Sequence, residues 1–357
     1  MKTQLFYHNK PIFGLDIGSQ TVKFFQLEKH GTGGTVKSFG SIATDDKIMK
    51  NGVIQNIPRA AELVDDLLAN NIVGELTTNR VVMSIPVSHV YTRVMSLPNM
   101  NKKELDSAVQ LEVEQSVPVP SKDLYYDYEI TDTPDESNML VRMVASPRAI
   151  VDSYVGVCDL LGLDLSLVQT NIRADAQLCM LYENMATDSP YIIVDVGGDS
   201  IDVGILDKTL RVTGTVEEGG NSLTDAIARK LHVSPSKAQS IKVTKGIAAG
   251  SNQQKITEAV SPILDKVVDE INRMSKFYDQ RIQEGSDISQ ILIVGGGANM
   301  PGLGDYLTNA THTPARVSSP WGSHISFGKL EPPELADLPR FLTCAGLALT
   351  SNEEIFK

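Results

Sequence analysis

The six residues Asp16-Ile17-Gly18-Ser19-Gln20-Thr21 return 179 positions later as Asp195-Val196-Gly197-Gly198-Asp199-Ser200. Each copy follows an apolar run and precedes another. A spacing of about half the 357-residue chain reads as a duplication. Two α/β units facing each other are therefore expected, rather than one continuous sheet. In the first unit, residues 12–28 read as strand, tight turn, strand, with a third strand near 35–42. A helix follows over 58–71, with Pro58 at its start and Ala61, Leu63, Val64, Leu67 and Leu68 at helical spacing. A strand over 80–86 comes next. The second unit opens the same way, with strands over 191–197, 201–207 and 210–216. Helices are expected around 221–231, 235–241, 261–283 and 336–350. The strand Gln290–Val294 runs into Gly295-Gly296-Gly297.

The stretch between the two units has another order. Residues 90–97 are strand-like, and 101–116 form a helix with Asn101 as cap and Glu104 three residues on. Pro118 and Pro120 stop that helix. Segments 123–130 and 138–145 alternate as a hairpin, and Pro147 to Leu161 is helical. This predicts a small α+β subdomain over 93–167. It sits in a first lobe of 1–92, completed by 168–190 and 336–357. The second lobe is 191–335, with a helical part at about 217–289. Residues 1–11 read as a frayed tail.

With 32 basic and 44 acidic residues, the net charge of −12 argues against a nucleic-acid protein. Cys158, Cys179 and Cys344 are sparse and lack metal spacing, which fits a reducing compartment. The opening MKTQLFYHNKPIFG carries no leader pattern. No apolar run approaches the ~18 residues of a membrane span. A cytoplasmic protein without direct membrane insertion is expected. The six histidines show no ligand spacing, and Trp321 reads as packing.

Two facing Asp-x-Gly turns can bind phosphate. Their backbone N–H groups are uncluttered, and Ser19, Thr21 and Ser200 add hydroxyls. Asp16 and Asp195, at strand ends, are placed to hold Mg²⁺ through retained waters. Lys23 either reaches phosphate or is solvated. The strand-to-glycine turn at 295–298 lets backbone approach an adenosine closely. Its glycines do not fit Gly-x-Gly-x-x-Gly, so a dinucleotide fold is not expected.

These three elements, in this order, resemble the actin-like ATPase superfamily. The resemblance implies two duplicated actin-like (ribonuclease H-like) lobes around a nucleotide cleft. Its phosphate loops map to 14–23 and 194–204, and its adenosine loop to 293–303. The insert sharpens it. Val82-Met83-Ser84-Ile85-Pro86, Thr92-Arg93-Val94-Met95-Ser96-Leu97-Pro98-Asn99-Met100, Glu112-Val113-Glu114-Gln115-Ser116-Val117-Pro118 and Val144-Ala145-Ser146-Pro147 resemble the PilM family of type IV pilus assembly proteins, which is related to FtsA.

The resemblance implies ATP and Mg²⁺ as ligands. Nucleotide contacts carry over to Gly18, Ser19, Gln20, Thr21 and Lys23, to Gly197, Gly198, Asp199 and Ser200, and to Gly219, Gly220 and Asn221. Gly295, Gly296, Gly297 and Ala298 complete the cleft. Members carry Ala-Glu-x-x-Lys near the ribose; here it is Ala238-Gln239-Ser240-Ile241-Lys242, and Gln239 keeps hydrogen bonding without the charge. Hydrolysing relatives orient a water from the start of the inter-lobe helix. The matching positions offer Gln169, Asn171 or Asp175, and a missing base predicts slow or no hydrolysis. The implied partner is the N-terminal cytoplasmic peptide of a PilN-like inner-membrane protein, in a groove involving about residues 81–120. That tethers the chain to the inner face of the membrane, with other platform and motor proteins as further partners. Val82, Val94, Val109 and Val113 are either pockets of that groove or ordinary core. An FtsA-like filament is the alternative, although the end after Leu349 leaves no room for an amphipathic membrane helix. A sugar-kinase reading lacks a substrate-side Asp.

Overall fold

The computed structural model describes residues 11–351 except 32, 45–47, 134–136, 184, 186–188, 283–286 and 323. Residues 1–10 of the expected tail, Thr32 of the first turn and the end of the chain over 352–357 lie outside the described residues.

The first lobe begins with an antiparallel meander of β1 (Phe13–Ile17), β2 (Thr21–His30) and β3 (Gly33–Ala43). The short strands β4 (Met49–Lys50) and β5 (Val53–Ile54) pair with each other. Helix α1 (Ile57–Asn70) follows, with the Asn56 side chain accepting from Arg59 N–H and a buried stripe of Ala60, Ala61, Leu63, Val64 and Leu67. Strand β6 (Ile72–Gly74) edges β3, and β7 (Arg80–Ile85) lies parallel to β1. β7 is buried along its whole length, as a strand covered on both faces must be.

After a 3₁₀ turn at Val87–His89 come β8 (Tyr91–Pro98), α2 (Lys102–Ser116), β9 (Leu124–Asp132) and β10 (Asn138–Pro147). These strands form a separate sheet in the order β8-β10-β9. Its core joins Leu105, Val109 and Val113 of α2 to Val141 and Met143. Asn101 and Glu104 make the expected capping box.

The next two elements leave the insert. Helix α3 (Arg148–Leu161) buries Ile150, Tyr154 and Val157 with Val64 and Leu67 of α1. Strand β11 (Asp164–Thr170) lies parallel to β7. The sequence boundary at 167 therefore overshoots: residues after Pro147 pack with the first lobe. Helix α4 (Asn171–Tyr182) then leads into the second lobe.

That lobe repeats the plan. β12 (Tyr191–Val196), β13 (Ile201–Asp207) and β14 (Thr209–Val216) form the meander. Helices α5 (Gly220–Leu231), α6 (Pro235–Thr244) and α7 (Gln253–Arg281) follow. β15 (Gln290–Val294) lies parallel to β12; after α8 (Leu303–Thr311), β16 (Ala315–Val317) lies parallel to β15. α7 starts eight residues before the expected 261, with Pro262 inside it. Finally β17 (Ile325–Ser326) returns to the edge of β3. The expected helix over 336–350 is a 3₁₀ turn at Leu338–Phe341 and a short α9 (Leu342–Leu347).

Among the described residues the two main sheets run β11-β7-β1-β2-β3 and β16-β15-β12-β13-β14. Order and strand directions match. Helices α4 and α9 lie between the sheets, where Ile172, Leu178 and Leu342 share a core with Phe25, Ile193 and Leu292. A Cβ on Gly346 would fall 2.0 Å from the Ala174 carbonyl oxygen, so these helices meet backbone to backbone.

Candidate nucleotide cleft

Both Asp-x-Gly turns close identically. Gly18 N–H donates to Thr21 O at 3.0 Å, and Gly197 N–H donates to Ser200 O at 3.0 Å. The two tips touch, since a Cβ on Gly198 would lie 2.8 Å from Ser19 Oγ. The sheet geometry thus brings the two motifs together across the lobe boundary. Gln20 lies at the same contact, its Cγ 3.0 Å from that Cβ position. A polyphosphate between the hairpins requires the tips to part.

Each motif carboxylate heads a row of side chains crossing its sheet. In the first lobe the row is Gln169, Ser84, Asp16 and Lys23. Ser84 Oγ donates to Asp16 Oδ1 at 2.6 Å, and Lys23 Nζ sits 2.6 Å from Asp16 Oδ2. Gln169 is the register partner of Ser84, and Lys23 that of Asp16. Burial alone would lower the Lys23 ammonium, but Asp16 outweighs it and holds that lysine above its ordinary value. Lys23 is therefore an internal counter-ion, not a solvated charge.

In the second lobe the row is Asp195, Asp202 and Thr215. Two carboxylates stand side by side, 7% and 2% exposed. The Asn171 amide bridges them, donating to Asp195 Oδ2 at 2.8 Å and Asp202 Oδ2 at 2.9 Å. Thr215 Oγ1 donates to Asp202 Oδ1 at 2.7 Å. Burial, with the Asp202 charge beside it, pushes the Asp195 carboxyl up to about 7. Burial likewise raises Asp202. Sequence reasoning missed Asp202, although it stands 179 residues after Lys23, the same interval that separates the two motifs.

Asp175 is fully buried and accepts from Thr343 Oγ1 at 2.9 Å. Burial and then the Asp195 charge hold its carboxyl well above the ordinary range. The base role expected from sequence thus falls on a side chain closed off between α4 and α9. Gln169 stays on the first-lobe row, and its buried Nε2 has no partner among the described residues.

The remaining expected contacts gather around the second hairpin. Gly220 N–H donates to Gly197 O at 2.8 Å and Asn221 N–H to Gly198 O at 2.9 Å, while Asn221 Nδ2 donates to Asp199 Oδ1 at 2.8 Å. A Cβ on Gly219 would lie 2.5 Å from Gly198 O. From α6, Lys242 Nζ donates to Gly220 O at 2.7 Å and Thr224 Oγ1 at 2.8 Å, and Gln239 Oε1 accepts from Thr224. Burial pulls Lys242 down to about 8, and among the described residues no carboxylate pairs with it. Gly295 adopts φ 86°, and a Cβ there would fall 2.2 Å from Asp195 Oδ1. Gly297 N–H donates to Val196 O at 3.0 Å, Ala298 N–H to Gly295 O at 3.2 Å, and Gly296 faces open space.

These residues fit a magnesium-bound polyphosphate. Among the described residues Gln169 Nε2 and Asp175 Oδ2 have no hydrogen-bond partner and Lys242 has no carboxylate partner, and tight turns of this kind offer N–H groups to anions. Among the described residues no three His, Cys, Asp or Glu side chains converge as metal ligands. Two carboxylates plus waters suit Mg²⁺ better than a dedicated protein cage.

A separate cavity of about 350 Å³ opens where the insert meets both lobes, lined by Val87, Tyr91, Arg93, Val117, Met143 and Thr215 among others. It lies within the expected 81–120 window and beyond it. Val82, Val109 and Val113 are fully buried core, and only the partly buried Val94 stays at the surface.

The sequence model of the family described as type IV pilus assembly protein PilM matches residues 14–352. The chain belongs to that family. It is similar to the solved PilM–PilN type IV pilus biogenesis complex at 22% identity, covering 95% of this chain and 98% of that one with a TM-score of 0.81. MreB 5 of Spiroplasma citri bound to AMPPNP shares the actin-like fold at 12% identity, 95% of each chain and a TM-score of 0.54. Among curated proteins, FtsA of Escherichia coli K12 is 27% identical over 154 residues, 36% of this chain and 37% of its own length. FtsA of Borreliella burgdorferi is 26% identical over 63% of this chain and 54% of its length. The chain thus spans about a third to a half of the curated relatives it matches. No helix among the described residues is long and apolar enough to cross a membrane.

Proposed function

We propose that this PilM-family protein is a nucleotide-dependent scaffold of the pilus assembly platform, bound to a PilN-like inner-membrane protein. The observation that carries the nucleotide half is the pair of identically closed hairpins meeting tip to tip, each with its carboxylate. Backbone N–H groups of 19–20 and 198–199 hold the phosphates, while those of Gly18 and Gly197 close the turns. Asp16 and Asp195 hold Mg²⁺ through water, which neutralises the phosphate charge. Gln239 and Lys242 face the ribose, and Gly295–Ala298 the adenosine. Gln169 and Asp175 are the candidates to orient a water; an amide is a poor base and burial raises the Asp175 carboxyl, so turnover is slow or absent.

The partner half rests on family membership and on the 350 Å³ cavity, whose walls combine Val87, Val90, Val117 and Met143 with polar Thr92 and Arg93. Apolar pockets beside strand edges suit an extended peptide. An N-terminal cytoplasmic segment of a PilN-like protein would occupy it and keep the chain at the inner face of the membrane.

Calorimetric titration with Mg-ATP, followed by phosphate assay of the same sample, tests the first half. Tight binding with no release is expected. Retention of full Mg-dependent affinity in the Asp16→Ala, Asp195→Ala double variant would sink the metal assignment. A filament reading draws on the FtsA matches, and sedimentation with Mg-ATP decides it: the scaffold stays in the supernatant.

A further inference from the structure

The nucleotide cleft and the cavity beside the insert share one side chain. Asn171, first residue of α4, uses both amide hydrogens on the second-lobe pair Asp195 and Asp202. Its carbonyl oxygen accepts from Val87 N–H at 2.9 Å, and Val87 is a wall of the 350 Å³ cavity. The opposite wall, Thr215, bonds the other oxygen of Asp202. Thr215 directly, and Val87 through Asn171, are thereby linked to the carboxylates that flank the second phosphate loop.

The first turn of α4 has a second hold on the insert. Arg173, two residues on, donates to Glu129 of β9 at 2.9 Å. Arg142 of β10 also bonds Glu129 and reaches the Leu210 carbonyl of β14. The insert is fastened to α4 and to the second lobe by the same few groups.

We infer that Asn171 couples the nucleotide cleft to the cavity: parting the two hairpins to admit phosphate displaces Asp195, and Asn171 carries that displacement to Val87. The inference rests on the nucleotide-binding reading above. An asparagine has two donors and one acceptor group, and all three are engaged here. It cannot follow Asp195 without loosening either Asp202 or Val87. The network is a contiguous chain of partly buried polar contacts, so breaking one link forces another to reform. By linkage, whatever settles in the cavity against Val87 must alter nucleotide affinity by the same factor.

Amide hydrogen exchange at Val87 in the whole protein reads this directly and needs no partner. Adding saturating Mg-AMPPNP should change Val87 protection by about 5-fold or more, within the usual range of coupling between sites. In Asn171→Ala, Val87 should be unprotected with and without nucleotide. If that variant fails to fold, the wild-type measurement still decides. Calorimetric binding of Mg-AMPPNP with unchanged Val87 protection overturns the coupling and leaves the nucleotide reading standing. Absence of binding overturns both. An Asn171→Ala protein that keeps the full nucleotide response at Val87 assigns the link elsewhere and also overturns the inference.

Discussion

The two lobes share a frame and differ in one charge. Asp16 and Asp195 occupy the same place at the end of the first strand of each sheet. The residues opposite them, Lys23 and Asp202, are also equivalent by register. In the first lobe that partner is a cation, and the row is neutral by itself. In the second it is another carboxylate, bridged by a neutral amide. Burying two like charges costs far more than burying a pair of opposite sign. The first lobe is therefore complete without a ligand. The second carries excess negative charge at the position where a divalent cation gains most. Duplication supplied the geometry twice, and the copies differ in the charge that stands opposite the motif carboxylate.

The largest expected effect that sharpens this contrast lies in the glycines. Gly18 and Gly197 are matched, with Cβ positions 3.1 and 3.0 Å from the carbonyl that closes each turn. Alanine at either should cost little, because a shift of a few tenths of an ångström relieves the contact. Gly295 has φ 86° and would place a Cβ 2.2 Å from Asp195 Oδ1 and 2.9 Å from Val196 O. Overpacking and left-handed strain act together there. Gly295→Ala should destabilise by roughly 3 kcal/mol, against under ~1 for Gly18→Ala, in urea unfolding followed by circular dichroism. Equal losses would mean that the loop after β15 does not press on the second-lobe carboxylate.

How much of this was legible in the sequence depends on distance along the chain. The repeat, the insert between its copies and the capped helix after Asn101 could all be read, because each is a local pattern. Asp202 was within reach, since counting 179 on from Lys23 lands on it; only the six-residue motif was matched. Asn171 was weighed as a water-orienting group. Its actual partners, Asp195, Asp202 and Val87, lie on three separate strands or turns, and no spacing announces them. Asp175 looked like a base because its chemistry is visible in sequence and its burial is not. The closing helix was read too long. Its first part is the 3₁₀ turn that holds Pro339, and the α-helical part is only Leu342–Leu347.

The second prediction compares the two buried lysines. Lys23 is held above its ordinary value, so its contribution is complete below pH 10.5 and is lost only above that. Lys242 is pulled down to about 8 from 10.5, so between those values the unfolded chain binds more protons than the folded one. The Lys242 contribution to stability should therefore rise with pH from about 8 to 10.5, against the opposite contribution of Cys158, Cys179 and Cys344, whose buried thiols are pushed up. Lys242→Met should remove that contribution and steepen the alkaline fall in that window. It should also stabilise the ligand-free protein by about 1 kcal/mol at pH 7, since a buried charge disappears at the cost of two hydrogen bonds. Thermal melts across pH 7 to 11 measure both. An alkaline profile unchanged in Lys242→Met would place the titrating group elsewhere.

The smallest effect tests whether the first-lobe row is as self-sufficient as its charge balance implies. Ser84→Ala removes the hydroxyl that donates to Asp16 Oδ1 at 2.6 Å and leaves the Lys23 pair intact. Asp16 keeps a counter-ion at 2.6 Å, so no uncompensated charge is created. The expected loss is that of one ordinary hydrogen bond, about 1 kcal/mol, with no change in the pH profile of unfolding below pH 7. A loss several times larger, or a new acid-side transition, would show that Lys23 does not neutralise Asp16 alone. Both lobes would then hold their motif carboxylate through a neutral bridge, Ser84 in one and Asn171 in the other. The difference between them would shrink to the single extra charge of Asp202.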